Sequence, residues 1–451
     1  MNQQEVELLE DLRVDLDRSW REHPESLWHG SKGVQMADHG AVHTRNLLEI
    51  ADSLLALTRK NSRLLVNEFE FIVLYLALWL HDIGHRGSEE YQDPVDVRDF
   101  HGVISGKLLL EDAYICNSEL YRLPRSLALP VALVSMYHQR RMPFNDADRK
   151  FLTKTGQKYT PFPKMLDSTP EGGLGQWLGA LGRQAVKPPV AADCVVTLAE
   201  LAQTFGSLLP VDAVHLLERG TCDLQALTAL LRFVDTLDFR YNKVGSDSET
   251  KARVLNVTRE RMYWRGVAEA ELKQMDEHKL VSRSILDAFR DILANWLRDE
   301  TMKLSAVDAA LFHPMVVHKG RDQKDPAVRR WSQTMRYLAF LRDQASYYYG
   351  LHRSVLNVYF ALHSGEGLDL HVDILTGVEG GLPFQRCIDQ FTSQIAGEWA
   401  AGNSQDGENS VGACLMARGL AIKEFVFTDA RRADVWTRCR FPDGAVLAQS
   451  G

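Results

Sequence analysis

FIVLYLALWLHDIGH (71–85) decides how the chain is read. Its apolar part covers 71–80, whereas a helix needs about 20 such residues to span a bilayer. A run so uniformly apolar predicts a helix buried on all sides in the middle of a soluble bundle. It ends in His81-Asp82, and Gly84 is predicted to stop the helix there. Neighbours in a regular helix point about 100° apart. His81 and Asp82 can therefore converge on one point only where the backbone turns, as at such an end.

On the N-terminal side, AVHTRNLLEIADSLLALTRK (41–60) places Val42, Leu47, Ile50, Leu54 and Leu57 on one helical stripe. Further helices are predicted over 3–22, 100–113 and 126–138, with Pro130 in the first turn of the last, where its missing N–H costs little. Residues 139–190 hold six prolines and few periodic apolar residues, and read as an insertion or lid. Helical spacing resumes over 195–208 and 224–241, the latter with Leu227, Leu230, Leu231, Val234 and Leu237 in line.

Past about residue 252 the pattern changes. Residues 253–267 and 354–376 alternate β-branched and aromatic residues, and VLNVYFALHSGEGLDLHVDIL reads as a hairpin turning at Ser-Gly-Glu-Gly. IKEFVFTD (422–429) and DVWTRCRF (434–441) are two more predicted strands, with helices over 278–303, 327–348 and 384–401. The expected fold is mostly α: a helical bundle over 1–250, interrupted at about 139–190, then a smaller α+β accessory or regulatory domain over 251–451.

Composition narrows the function. The 52 Lys and Arg against 60 Asp and Glu leave a net charge of −8, which argues against a broad nucleic-acid or anionic-membrane surface. The six cysteines show no C-x-x-C spacing, so no zinc ribbon or redox pair is readable. Their unpaired scatter fits a reducing compartment. The acidic, amphipathic start of the chain lacks the form of a signal peptide, and a cytoplasmic location is expected. No phosphate-binding P-loop, dinucleotide fingerprint or nucleophile elbow is present.

What remains is a scattered set of histidines and aspartates on the helical half. His43, the pair His81 and Asp82, and Asp235 lie on separate helices, from which imidazole and carboxylate donors can surround one divalent metal. In order, DHGAVHTRNLLEIA (38–51), LALWLHDIGH (76–85), DFHGVISGKLLL (99–110), ALVSMYHQR (132–140) and ALLRFVDTLDFRYNKV (229–244) resemble the HD-domain superfamily of metal-dependent phosphohydrolases, and most of all its HD-CE-type branch. The resemblance covers about residues 30–245 and implies an HD-type bundle. It implies His43, His81, Asp82 and Asp235 as metal ligands. It implies His101 and His138 as extra histidines that bind a second metal or contact the scissile phosphate. His85, four residues after His81, faces the site, orients a ligand or acts on the leaving group. His39 is expected to orient ligands, Asp38 to cap the helix or partner a histidine, and Arg232 to steady a carboxylate ligand; Asp238, the runner-up to Asp235 as final ligand, is expected to pair with a base such as Arg240 or Lys243.

Hydrolysis of a phosphoester or phosphoanhydride builds negative charge that a divalent metal stabilises. Mixed imidazole and carboxylate donors suit Mn, Fe, Co, Ni or Zn better than Mg alone, with one or two ions per chain. Arg86 and Lys107 are candidate phosphate-binding residues. So are Arg140 and Arg141, which open a segment, 139–164, with seven Lys and Arg against two Asp. The expected substrate is a small phosphorylated molecule, a nucleotide or nucleotide second messenger. The alternative is a nucleotide-sensing or partner-binding HD protein of a defence or signalling system with little turnover of its own. The intact ligand set speaks against it. The C-terminal half is the candidate surface for a regulatory partner or a second copy.

Overall fold

The structure is a computed structural model. It describes residues 39–60, 65–91, 94–110, 125–139, 142–145, 160–165, 176, 195–197, 221–244, 247–298, 326–343, 349–364, 367–378, 381–401 and 410–441. The helix expected over 3–22, Asp38, Arg140, Arg141 and most of 146–190 lie outside these residues.

The described residues are mostly helical, with one small four-stranded sheet. Residues 39–243 and 353–441 form one compact unit, and 244–352 form another. The stretch 353–441 thus groups with the ligand-bearing helices, although the sequence pattern sets all of 251–451 apart.

The N-terminal part of the first unit carries the helices α1 (Ala41–Lys60), α2 (Glu68–Leu80), α3 (Pro94–Leu110), α4 (Arg125–Tyr137) and α5 (Leu224–Leu237), with a single helical turn at Phe162–Met165. α2 is the apolar run, and Val73 through Leu80 are all buried. A reciprocal cap starts it: the Asn67 side chain accepts from the Glu70 N–H (2.8 Å), and Glu70 accepts from the Asn67 N–H (2.9 Å). Asp223 caps α5 by accepting from the Ala226 N–H at 2.9 Å. A short antiparallel pair, β1 (Val195–Thr197) and β2 (Thr221–Asp223), leads into it. Residues 195–197 were expected to be helical. Their backbone instead pairs with the strand that enters α5, and Val195, Val196 and Thr197 are all β-branched residue types that favour strands. Pro130 stands in the interior of α4, not its first turn. Gly84 does not end α2 either: the helix stops at Leu80, a 3-10 turn covers Ile83–Arg86, and Gly87 takes the positive φ of 77°.

The sheet runs β3 (Val355–Leu362), β4 (Leu368–Ile374), β5 (Ile422–Asp429), β6 (Arg432–Arg440), each strand beside the next. β3–β4 is the antiparallel hairpin that the alternation predicts, the two predicted strands β5 and β6 form a second antiparallel pair, and β4–β5 is parallel. The crossover carries α9 (Phe384–Trp399) and α10 (Val411–Ala417). α5 is the hub, packing on α1, α2, α4, α9 and α10. Phe233 meets Trp399 edge-on at 5.3 Å. Gly412 lets α10 close on that indole, because a Cβ there would stand 2.2 Å from Trp399 Nε1.

The second unit holds α6 (Asp247–Glu277), α7 (Arg283–Arg298) and α8 (Pro326–Asp343). Its core centres on Phe289 stacked on Trp331 at 4.2 Å. Residues 253–267, expected as strand, lie inside α6. β propensity reflects fit to a half-buried pleated surface. Here the helix is set by the buried Ala268, Leu272 and Met275 that follow at helical spacing. Among the described residues no helix is long and apolar enough to cross a membrane.

Candidate metal centre

Asp82 is the focus of the site. It follows the last turn of α2 and begins the 3-10 turn, where the backbone leaves helical geometry. Ser105 on α3 holds that turn, donating to the His81 carbonyl (2.5 Å) and accepting from the Gly84 N–H (2.8 Å). Gly84 permits the approach: a Cβ there would lie 2.0 Å from the His101 carbonyl oxygen. α3 can therefore bring His101 against the HD pair only over a glycine.

Two groups of imidazoles face the two carboxylate oxygens of Asp82. Oδ2 lies 2.9 Å from His39 Nδ1 and 3.4 Å from both His43 Nε2 and His81 Nε2. Oδ1 lies 3.2 Å from His101 Nε2 and 3.6 Å from both His85 Nε2 and His138 Nε2. Asp235 closes the first group, its Oδ1 standing 3.1 Å from His43 Nε2 and 3.8 Å from His81 Nε2.

Four rings are oriented alike. His43 Nδ1 donates to Asp238 at 2.6 Å, His81 Nδ1 to the carbonyls of Ala77 and Leu78 (both 3.2 Å), His101 Nδ1 to the Arg98 carbonyl (2.6 Å) and His138 Nδ1 to the Ser135 carbonyl (2.5 Å). A carbonyl or carboxylate partner takes the N–H at Nδ1, which leaves each Nε2 facing inward, where it can give its lone pair to a metal in place of a proton; His101 Nδ1 also lies 2.6 Å from Gln139 Nε2. Such outer partners fix the tautomer of metal-binding histidines. His43 Nε2, His81 Nε2 and both nitrogens of His85 are buried with no hydrogen bond among the described residues. His101 Nε2 and His138 Nε2 stand 3.1 Å apart, within hydrogen-bond reach of each other. Orphaned inward nitrogens beside two carboxylates are the donor set of a cation site. The cluster of His43, His81, Asp82, His138 and Asp235 could hold a divalent metal.

The charges agree. Asp82 and Asp235 are held well below the usual carboxylate range. Burial opposes this in both, and the surrounding imidazoles outweigh it, His81 foremost for Asp82 and His43 for Asp235. Burial likewise opposes a charged His81, yet Asp82 and Asp235 raise it to about 10. His138 and His39 are lowered to about 4, and His85 falls well below its usual value, all chiefly by burial. Water reaches the cluster at the side chains of Asp235, His39 and His101, which are 30%, 28% and 12% exposed.

The other expected residues divide. His39 contacts Asp82 directly and His85 stacks on His101 at 4.1 Å, so both belong to the cluster. Asp238 pairs as expected, accepting from His43 and Asn46 with Lys243 at 3.6 Å. Arg86 is half-buried directly after His85. Lys107 instead donates to the exposed Glu90 at 2.8 Å and lies over Tyr91, and it meets no described member of the cluster. Arg232 does not hold Asp235; its Nε donates to Glu398 at 2.5 Å. Asn46 and Gln139 were not foreseen. Asn46 steadies Asp238, and Gln139 ties α4 to α3 by accepting from the Gly102 N–H (3.2 Å) and donating to the Arg98 carbonyl (2.9 Å). Their one signal is a polar residue next to, or one turn from, a ligand histidine. A second set, His363, Asp369 and Glu424, also has metal-compatible spacing. Its carboxylates already have partners: Asp369 bonds His363 at 2.7 Å and Glu424 pairs with Arg438 at 3.1 Å.

No family model matches the chain, and neither a curated protein nor a solved structure matches it.

Proposed function

We propose that the chain is a metal-dependent phosphohydrolase with an HD-type helical part, cleaving a phosphoester or phosphoanhydride bond of a nucleotide. The observation that carries this reading is the division of the Asp82 carboxylate, with three imidazoles facing each oxygen. That division suits two divalent ions sharing Asp82. His43, His81 and Asp235 would serve the first and His101 and His138 the second, with His85 and His39 beside them. When bound, such ions offset charge on phosphoryl oxygens and make a bound water acidic enough to ionise near neutral pH.

The chain's own groups do the rest. The outward Nδ1 bonds keep four Nε2 atoms facing inward, so the rings need no reorientation, and His81 would exchange its proton for the metal. The partly exposed side chains of Asp235, His39 and His101 mark the approach for a phosphate. Arg86, directly after His85 in sequence, is the candidate phosphate contact.

The test has two stages. Purified protein is expected to carry divalent metal by elemental analysis. Loaded in turn with Mn, Fe, Co, Ni or Zn, it is expected to hydrolyse at least one member of a nucleotide panel. Asp82→Asn should abolish both. Stoichiometric metal and nucleotide binding without turnover would favour the sensor reading instead. A chain that takes up no metal, or an Asp82→Asn protein that hydrolyses at the wild-type rate, sinks the proposal.

A further inference from the structure

The buried pair Arg232–Glu398 lies away from the cluster, yet it touches both elements that feed the cluster from the C-terminal side. Arg232 is on α5, one turn before Asp235. Its side chain is 0% exposed and that of Glu398 4%. Nε donates to Glu398 Oε1 at 2.5 Å, Nη1 donates to the Met142 carbonyl at 3.3 Å, and the guanidinium lies 5.6 Å from the centre of the Phe144 ring. Met142 and Phe144 are on the strand of chain that leaves α4 immediately after His138. Nη2 has no hydrogen bond among the described residues. One guanidinium thus joins the helix that carries Asp235 to the segment that carries His138, and Glu398 on α9 is its counter-charge.

Stability alone is a weak reason for such a pair. Removing two charges from water offsets most of their attraction, and well-packed apolar replacements of similar volume are often neutral or better. The alternative use of a buried ion pair is to fix one arrangement of the elements around it.

We propose that Glu398 is a positioning residue for the metal centre: through Arg232 it sets the spacing between Asp235 and His138. The inference rests on the metal reading above. α9 and the sheet it covers are then coupled to the cluster without touching it.

Cobalt(II) uptake by the full-length chain tests this, read by affinity and by the visible d–d spectrum, which reports ligand geometry. Two variants are compared with wild type: Glu398→Gln, and the double variant Arg232→Met with Glu398→Leu. The expected result is cobalt bound about 10-fold more weakly in both, the usual size of an effect from outside the ligand shell. The band pattern should also change, while the double variant melts within a few degrees of wild type. A double variant with wild-type affinity and spectrum would overturn the proposal. So would a double variant that cannot fold, since the pair would then be a plain structural requirement. Wild-type protein that takes up no cobalt would instead defeat the metal reading itself, an outcome distinct from the other two.

Discussion

Gly84 owes its place to the neighbour it touches rather than to its backbone angles. The His101 carbonyl occupies the space of a side chain there, so Gly84→Ala must push α3 away from the HD turn. Overpacking against rigid backbone costs about 1–3 kcal/mol or more, and His101 would be displaced with it. The expected result is a lower melting temperature and loss of whatever metal His101 helps to hold, read by calorimetry and elemental analysis. His138→Ala separates roles at the second site. One ion retained of two marks it as a ligand, whereas full metal with lost turnover marks it as a phosphate contact. The histidines also give the metal-free protein a distinctive pH profile. Burial holds His39 and His138 at about 4, whereas each titrates near 6.5 in the unfolded chain. Between those values the unfolded chain binds more protons, so stability falls as pH drops, by up to about 1.4 kcal/mol per pH unit for each group. His81 acts oppositely: burial disfavours its charge, but Asp82 and Asp235 raise it to about 10. The stability its charge contributes is complete below 6.5 and is lost as pH rises toward about 10. Melting temperature in chelator should therefore peak close to neutrality. Metal should lift the alkaline limb, because it replaces the His81 proton. A monotonic rise from pH 4 to 9 in chelator would contradict the assignment of His81.

At the scale of elements, what was legible is what carries a long or strict period. The stripe of α5, the run of α2 and the β3–β4 alternation each repeat often enough to fix their type. Three-residue strands do not, and β1 was read as the start of a helix. α6 misled in the other direction, since its β-branched and aromatic residues, Val254, Val257, Tyr263 and Trp264, sit in a helix set by its later packing. The cluster was legible because histidine and aspartate are conspicuous at helix ends in a fixed order. The partners of Lys107 and Arg232 were not: the second is an ion pair 166 residues apart in sequence, with no local signature. Glu70 shows how far an element's end depends on such pairs. It caps Asn67, accepts from the Asp223 N–H at 2.9 Å and receives both Nη1 and Nη2 of Arg418, at 3.1 and 2.8 Å. Asn67→Ala is expected to cost about 1 kcal/mol, the worth of a cap. Glu70→Ala, which removes the cap together with the bonds to the Asp223 N–H and to Arg418, should cost about 2–4 kcal/mol, with Arg418 keeping Asp223 as its partner. Equal losses in denaturant melts would reduce Glu70 to its capping role.

Over the whole molecule, the hub helix α5 is clamped twice by residues from beyond 384: by Arg418 on Asp223 at its N-cap (3.1 Å) and by Glu398 on Arg232 within it. Trp399 and α10 cover its remaining face. A fragment ending at residue 250 keeps His43, His81, Asp82 and Asp235, yet leaves that face open. It is expected to be protease-sensitive and to bind metal far more weakly than the full chain, by limited proteolysis and equilibrium dialysis. A fragment as resistant and as metal-competent as the full chain would show the bundle to be self-sufficient. The same return of the chain to its first unit has a consequence for the order of synthesis. A ribosome makes every histidine and aspartate of the cluster before it makes α9 and α10. The nascent polypeptide would carry the whole set of histidines and aspartates before the helices that clamp α5 exist. Any metal the cluster takes up would then be held at full strength only once α9 and α10 have been made, and a message cut short upstream of α9 would yield a weakened centre.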